Sequence, residues 1–147
     1  MATAKNEQSP SAVLTLGNVM LIGAVGGVVG GVLSFVLWLI AGLLGMPTEV
    51  EIPQQGLQDL AWFQFIGFAT MSGAVGGLVA GLLRNRANGA QVFTIVSVVV
   101  VVVSMAGPLS PPDSVAGSTK IVLMLTHILV FITVVPAIAR KLRANVT

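Results

Sequence analysis

Residues 90–109 read AQVFTIVSVVVVVVSMAGPL. The run Val98–Val103 is six valines in succession, and in water such β-branched residues favour a strand. No Asp, Glu, Lys or Arg interrupts these 20 residues, and that length crosses the hydrocarbon core of a bilayer as a helix. In lipid an unpaired backbone is too costly, so the segment must satisfy its N–H and C=O groups internally. The helix therefore prevails over the valine preference, and the stretch reads as a membrane span.

Three more stretches share these properties: Gly17–Gly45, Trp62–Leu83 and Ile121–Ala139. Their apolar residues are continuous rather than alternating, which excludes a transmembrane β-barrel. Composition agrees. Of 147 residues, 55% are hydrophobic and 8% charged, with a mean hydropathy of +0.98, whereas soluble domains carry about 25% charged residues. These values exclude a soluble enzyme, a disordered tail and a nucleic-acid-binding domain. The pI near 9.7 rests on seven Lys and Arg against five Asp and Glu, with no basic run beside stacking aromatics, so no nucleic-acid partner is expected. The absence of cysteine excludes disulfides, thiolate metal sites and a cysteine nucleophile. The first apolar stretch, 29 residues long, exceeds the roughly 7–15-residue core of a signal peptide and reads as a retained anchor. The expected architecture is an all-α membrane protein, a four-transmembrane-helix bundle. It comprises a polar tail over 1–16, one domain over 17–143 with spans at about 17–45, 62–83, 90–109 and 121–139, and a tail over 144–147.

The loops orient the spans. Lys5, Arg84, Arg86, Arg140, Lys141 and Arg143 share one side, and Lys120 alone takes the other. Glu49, Glu51, Asp59 and Asp113 lie opposite the basic cluster, with Glu7 beside it. The positive-inside rule puts both termini in the cytoplasm, as expected of a multi-pass inner (plasma) membrane protein. Trp38 and Trp62 then fall near the outer interface, where indole rings concentrate. Arg84, Arg86, Arg140, Lys141 and Arg143 are candidate contacts for anionic lipid headgroups, so membrane lipids are expected partners. The outer loop Met46–Ala61 is acidic and broken by Pro47, Pro53 and Gly56, and Thr48–Ile52 alternates as a short extended segment would. The short loop Arg84–Gly89 predicts a tight antiparallel pair of spans two and three.

Gly23–Leu33 reads GAVGGVVGGVL and Gly73–Leu83 reads GAVGGLVAGLL, identical at eight of eleven positions with an offset of 50. Gly23, Gly27 and Gly31, and likewise Gly73, Gly77 and Gly81, recur every four residues and share one helix face. Gly26 and Gly30 widen the first stripe, and Gly76 and Ala80 the second. Faces without side chains let two backbones approach closely. The stripes suit packing between spans one and two of one chain, or self-association of two chains.

His127 is the only titratable side chain inside a span. Ionisable residues at that depth are functional candidates, while a neutral imidazole bonded to Thr, Ser or a carbonyl of a neighbouring helix is the structural alternative. A single histidine provides no metal site, and no metal or other cofactor is expected. A haem or pigment ligated by His127 is the alternative. Thr126, Val130, Thr133 and Ala137 form a small, weakly polar face beside it, and Pro136 predicts a kink. Asn18, Ser34, Gln64, Thr70, Ser72, Thr94, Ser97 and Ser104 are scattered through the other spans and suit interhelical hydrogen bonds. No phosphate-binding loop, GxSxG elbow or HExxH motif occurs, and no catalytic residue is assigned.

The segment Phe93–Leu142 holds a long aliphatic helix, then SMAGPLSPPD, then LMLTHILVFITVVPAIARKL. It resembles a family of small, uncharacterised four-helix bacterial membrane proteins. The matching elements are the turn Pro108–Pro112, His127, Pro136 and Arg140. The first half is similar in layout only: a long first span, an acidic outer loop and a small-residue second span. The resemblance implies four helices and a membrane location, and carries no activity. The functional expectation is a non-enzymatic structural or accessory subunit, acting through glycine-mediated helix packing in a homo-oligomer or larger membrane complex. The alternatives are a small transporter or channel formed by an oligomer, and a haem- or pigment-binding protein using His127.

Overall fold

A computed structural model of the protein describes residues 14–52, 55–110 and 114–145. Lys5, Glu7, Pro53, Pro111, Pro112 and Asp113 lie outside them. The chain runs α1 (Leu16–Leu43), β1 (Glu49–Ile52), β2 (Gly56–Asp59), α2 (Trp62–Leu83), α3 (Gly89–Ser104), α4 (Ala106–Leu109) and α5 (Gly117–Ala144). Four helical stretches are long and apolar enough to cross a membrane: α1, α2, the joined α3 and α4, and α5. The protein is a four-helix membrane bundle.

α5 begins before the apolar stretch Ile121–Ala139 and ends after it. Hydropathy marks the lipid-facing part, while residues such as Lys120, Arg140 and Lys141 are good helix formers and carry the helix on into water. Pro136 lies inside α5, which stays helical on both sides of it. The third span is divided near Met105, and α4 adds one further turn containing Pro108. In the acidic loop, β1 pairs antiparallel with β2, Glu49 opposite Asp59 and Ile52 opposite Gly56. Gly56 has φ +80°, a left-handed conformation that glycine adopts without steric cost.

The centre of the bundle is α1, which packs against α2 and α5. Its glycines divide between two neighbours. Gly23, Gly27 and Gly31 meet α2, and Gly26 and Gly30 meet α5. Adjacent positions on a helix point about 100° apart, so what reads as one widened stripe is two faces. On the α2 side a Cβ at Gly23 would strike the carbonyl oxygen of Gly73, and one at Gly27 would strike that of Ala69. At Gly31 a Cβ would lie 2.7 Å from Ile66 Cα, and at Gly77 2.6 Å from Met20 Cα. At Gly81 it would strike the side chain of Leu16. On the α5 side a Cβ at Gly30 would lie 2.6 Å from Thr133 Oγ1 and 2.9 Å from Val130 Cα. The two repeat copies therefore face each other within one chain.

Two apolar clusters flank this crossing. Val19, Ala80, Phe93, Val135, Ile138 and Leu142 are among those buried toward the end that carries the termini. Trp38, Ala41, Phe65 and Val122 are buried toward the β-hairpin end, with the Trp38 and Phe65 rings 5.4 Å apart. Trp38 thus fills the interior, whereas Trp62 is 58% exposed.

Each end is also held by hydrogen bonds. At the termini end, Asn145 accepts from Leu14 N–H (3.4 Å) and donates to the Arg84 carbonyl (3.0 Å), linking α1, α2 and α5. At the hairpin end, Thr119 Oγ1 donates to the Pro47 carbonyl (2.6 Å) and Ser114 Oγ to Glu51 (2.7 Å).

The expected tight pairing of spans two and three does not occur: α3 packs mainly on α5 and touches α2 little. The glycine face of α2 is turned to α1, and bulky residues such as Phe68, Met71 and Val75 face the space between α2 and α3. Among residues of the apolar window, 11% are buried in the third span against 33% in α1.

The glycine contacts yield a controlled comparison. Gly27→Ala is expected to destabilise the protein by about 1–3 kcal/mol, the usual cost of overpacking. Gly67→Ala, in the same bundle but with nothing within 4 Å of its Cβ, should be neutral or stabilise by about 0.5–1 kcal/mol. Thermal unfolding of both variants in one detergent, followed by circular dichroism, checks the difference. Equal melting points would show that the close approach is not limiting.

Candidate functional site

Because α3 stands off α2, a cavity of about 700 Å³ opens between α2, α3 and α5, with Ser34 of α1 also in its lining. That volume falls within the range of about 300–1,000 Å³ typical of ligand sites. The walls are mainly valine and phenylalanine, including Phe65, Phe68, Phe93 and Phe131. His127 is the only titratable residue in the lining.

The His127 ring is oriented by its own helix. Nδ1 lies 2.7 Å from the carbonyl oxygen of Leu123, one turn earlier on α5. A carbonyl only accepts, so Nδ1 carries the proton, and in the neutral imidazole Nε2 is left as a lone-pair acceptor. Nε2 makes no hydrogen bond among the described residues, and no buried side-chain nitrogen or oxygen there lacks a partner. The half-buried ring therefore offers an acceptor at the groove. The bond to a neighbouring helix expected from the sequence is replaced by one within α5.

The same substitution of partners recurs along the spans. Thr70 donates to Ile66 O, Thr94 to Ala90 O, Ser104 to Val101 O and Thr126 to Leu123 O, all within one helix. A β-hydroxyl reaches the carbonyl three or four residues back, and that local bond competes with any interhelical one. Ser34 is the exception: its Oγ is buried and donates to the Thr126 carbonyl of α5 at 3.4 Å.

Gln64, Ser72, Ser97 and Ser104 join His127 in the groove lining. Gln64 and Ser72 are eight residues apart on α2, and Ser97 and Ser104 seven apart on α3, so each pair shares a face. That spacing is a signal the sequence carries for a polar-lined groove. At about 1.5 Å rise per residue, Ser72 and His127 each lie about 15 Å from the hairpin-end start of their helices. Ser97 lies about 18 Å from Leu109. Ser34 meets Thr126 while Gly23 meets Gly73, so Ser72 lies about two helical turns further from the hairpin than His127. Ser72 and Ser97 make no side-chain hydrogen bond among the described residues.

The other candidate residues lie away from the groove. Arg84 is at the end of α2, its Nη1 donating to the Gly81 carbonyl at 2.6 Å. Arg86 is in the α2–α3 turn, and Arg140, Lys141 and Arg143 are in the last turns of α5. All five belong to the end where Leu14 and Asn145 meet. In the acidic hairpin, Asp59 accepts from Thr48 at 2.7 Å. No cluster of three or more His, Cys, Asp or Glu that could hold a metal occurs among the described residues.

The family model of a family of unknown function, DUF6069, matches residues 14–144. The chain belongs to this family. Membership covers the whole bundle and agrees with the resemblance carried by Pro108, His127, Pro136 and Arg140. A stretch of 63 residues, 43% of the chain, is also 36% identical to the probable nitrate/nitrite antiporter NarK1 of Thermus thermophilus. The chain spans only 14% of that protein's length. No solved structure matches the chain.

The local anchoring of His127 has a measurable consequence for this DUF6069 member. His127→Leu is expected to shift the melting temperature by less than about 3 °C, since it removes a half-buried ring bonded only within its own helix. A loss of more than about 10 °C in detergent would assign His127 to packing instead.

Proposed function

We propose that the protein is a non-enzymatic accessory subunit of the bacterial inner membrane, which holds a membrane-soluble ligand in the α2–α3–α5 groove for a larger assembly. The observation that carries this reading is the cavity of about 700 Å³ with one oriented acceptor, His127 Nε2, in an otherwise uncharged lining. General acid–base chemistry or an activated nucleophile requires a second group within hydrogen-bond reach. The imidazole has only a backbone carbonyl as a partner, so the groove is suited to binding and not to turnover. The basic end formed by Arg84, Arg86, Arg140, Lys141 and Arg143 faces the cytoplasm and anionic lipid. The glycine faces hold α1, α2 and α5 together inside one chain, so assembly with other chains uses a different surface.

A second reading, a small transporter, is favoured by the partial likeness to a probable nitrate/nitrite antiporter. An anion in this groove would meet no positive charge among its lining residues, and an unpaired ion in an apolar medium is costly. Haem or pigment ligation through Nε2 would make the preparation coloured, since a histidine with Nδ1–H on a carbonyl is suitably oriented for a metal.

Purification of the tagged protein from its own membranes in mild detergent, with the eluate analysed for polypeptides and lipid-soluble small molecules, tests this function. Stoichiometric partner chains and a retained colourless ligand are the expected outcome. Nitrate flux in proteoliposomes containing this chain alone would replace the accessory reading by transport.

A further inference from the structure

We propose that the groove binds the reduced, hydroxyl-bearing head of a hydroquinone-type lipid and prefers it to the oxidised quinone. The inference rests on the reading of the groove as a binding site. Four properties of the lining select this class.

The first is charge. His127 is the only titratable group in the lining, so the ligand is neutral. The second is shape. Phe65, Phe68, Phe93 and Phe131 line the cavity, and aromatic walls favour a flat ring in offset or edge contact. The third is depth. His127 lies about 9 Å along α5 from Ile121, where the apolar stretch begins, and so beneath the interface of a hydrocarbon core of about 30 Å. Phospholipids and sterols keep their polar heads at the interface, where water solvates them. A hydroquinone has a head of low polarity that enters the hydrocarbon with its tail.

The fourth property is hydrogen-bond polarity. The Leu123 carbonyl fixes the proton on Nδ1, so His127 Nε2 presents a lone pair. A hydroquinone O–H donates to it. A quinone carbonyl places a second lone pair against it and leaves both acceptors unpaired, and such mismatches carry most of the discrimination in buried polar sites. Gln64 and Ser97 are in the same lining, and their side chains can accept or donate as the second ring oxygen requires. The site as inferred binds and discriminates; no electron transfer is assigned to it.

The test uses the full chain in detergent micelles and two probes, 2,3-dimethyl-1,4-naphthoquinol held reduced with dithionite and the corresponding quinone. Binding is read by equilibrium dialysis against empty micelles. Gly76 provides a blocking variant: it lines the groove, and the nearest atom to a Cβ there is Val134 Cγ1 at 4.0 Å. Gly76→Leu therefore narrows the groove opposite Val134 without a clash at Cβ, and its melting curve verifies that it folds. The quinol is expected to bind the wild-type protein about tenfold more tightly than the quinone, the ratio that one mismatched hydrogen bond sustains. His127→Ala should bring the ratio close to one, His127→Gln, which retains an acceptor, should preserve part of it, and Gly76→Leu, which narrows the groove, should weaken both bindings. Equal affinities in the wild type, or tighter quinone, overturn the ligand class while loss in Gly76→Leu keeps the groove as a site. If neither probe binds, the class is likewise overturned, and the groove stands only if lipid co-purifying with the wild type is lost from Gly76→Leu. Binding indifferent to Gly76→Leu overturns both.

Discussion

The whole bundle depends on the backbone contact between α1 and α2, where Gly23 and Gly73 meet with no side chain between them. Lipid tails are as apolar as leucine, so helices in a bilayer gain little from hydrophobic association. Dispersion between many atoms at close range must serve instead, at about 0.1–0.2 kcal/mol per atom pair, with weak Cα–H contacts to carbonyls in support. Such contacts fall away steeply with distance, and a methyl group at Gly27 would already collide with α2. Because α1 has a second glycine face at Gly26 and Gly30, it accepts α5 in the same manner. The result is a close-packed unit of α1, α2 and α5, with the third span outside it.

The position of α3 follows from what it lacks. Between Ala90 and Ser104 it has no glycine, and its valines are branched at Cβ. A β-branched surface is stiff and keeps the neighbouring backbone at a distance. α3 therefore rests on α5 and leaves α2 uncovered, and the groove is the space that results. The cavity is thus a product of the same rule that closes the α1–α2 interface, applied to residues that cannot obey it.

The spans were legible because uncharged length decides helix formation in lipid, whatever the local propensity of Val98–Val103. The glycine faces were legible from spacing alone. Their division was not, since Gly26 and Gly30 differ from Gly27 and Gly31 only in which helix lies opposite. The partners of the hydroxyls were misread because a sequence lists donors, whereas a helix supplies acceptors three and four residues back to each of them. The strand Gly56–Asp59 escaped notice because its residues, GLQD, have little strand preference and are positioned by pairing with Glu49–Ile52. For the groove, the i, i+8 and i, i+7 placement of Gln64 with Ser72 and Ser97 with Ser104 was present in the chain. It gains meaning only once α3 is known to stand apart from α2.

Where the structure is held and where it is not also bears on how the proposed ligand would reach His127. At one end Asn145 bridges Leu14 and Arg84, and at the other Thr119 and Ser114 bind the hairpin. At the termini end these bonds join the ends of α1, α2 and α5, and at the hairpin end they tie α5 and the turn before it to the segment that follows α1. α3 has its turn to α2, closed by Arg86 N–H on Leu83 O and Gly89 N–H on Arg86 O, and its apolar contact with α5. The weakly covered element borders the groove, so the easiest displacement widens the gap between α2 and α3 toward the lipid. A solute crossing from water to water needs access alternating between two sides, whereas a molecule dissolved in the bilayer needs only a lateral entrance. The unequal attachment of the four helices suits the second, which is the access the proposed ligand of an uncharged groove requires.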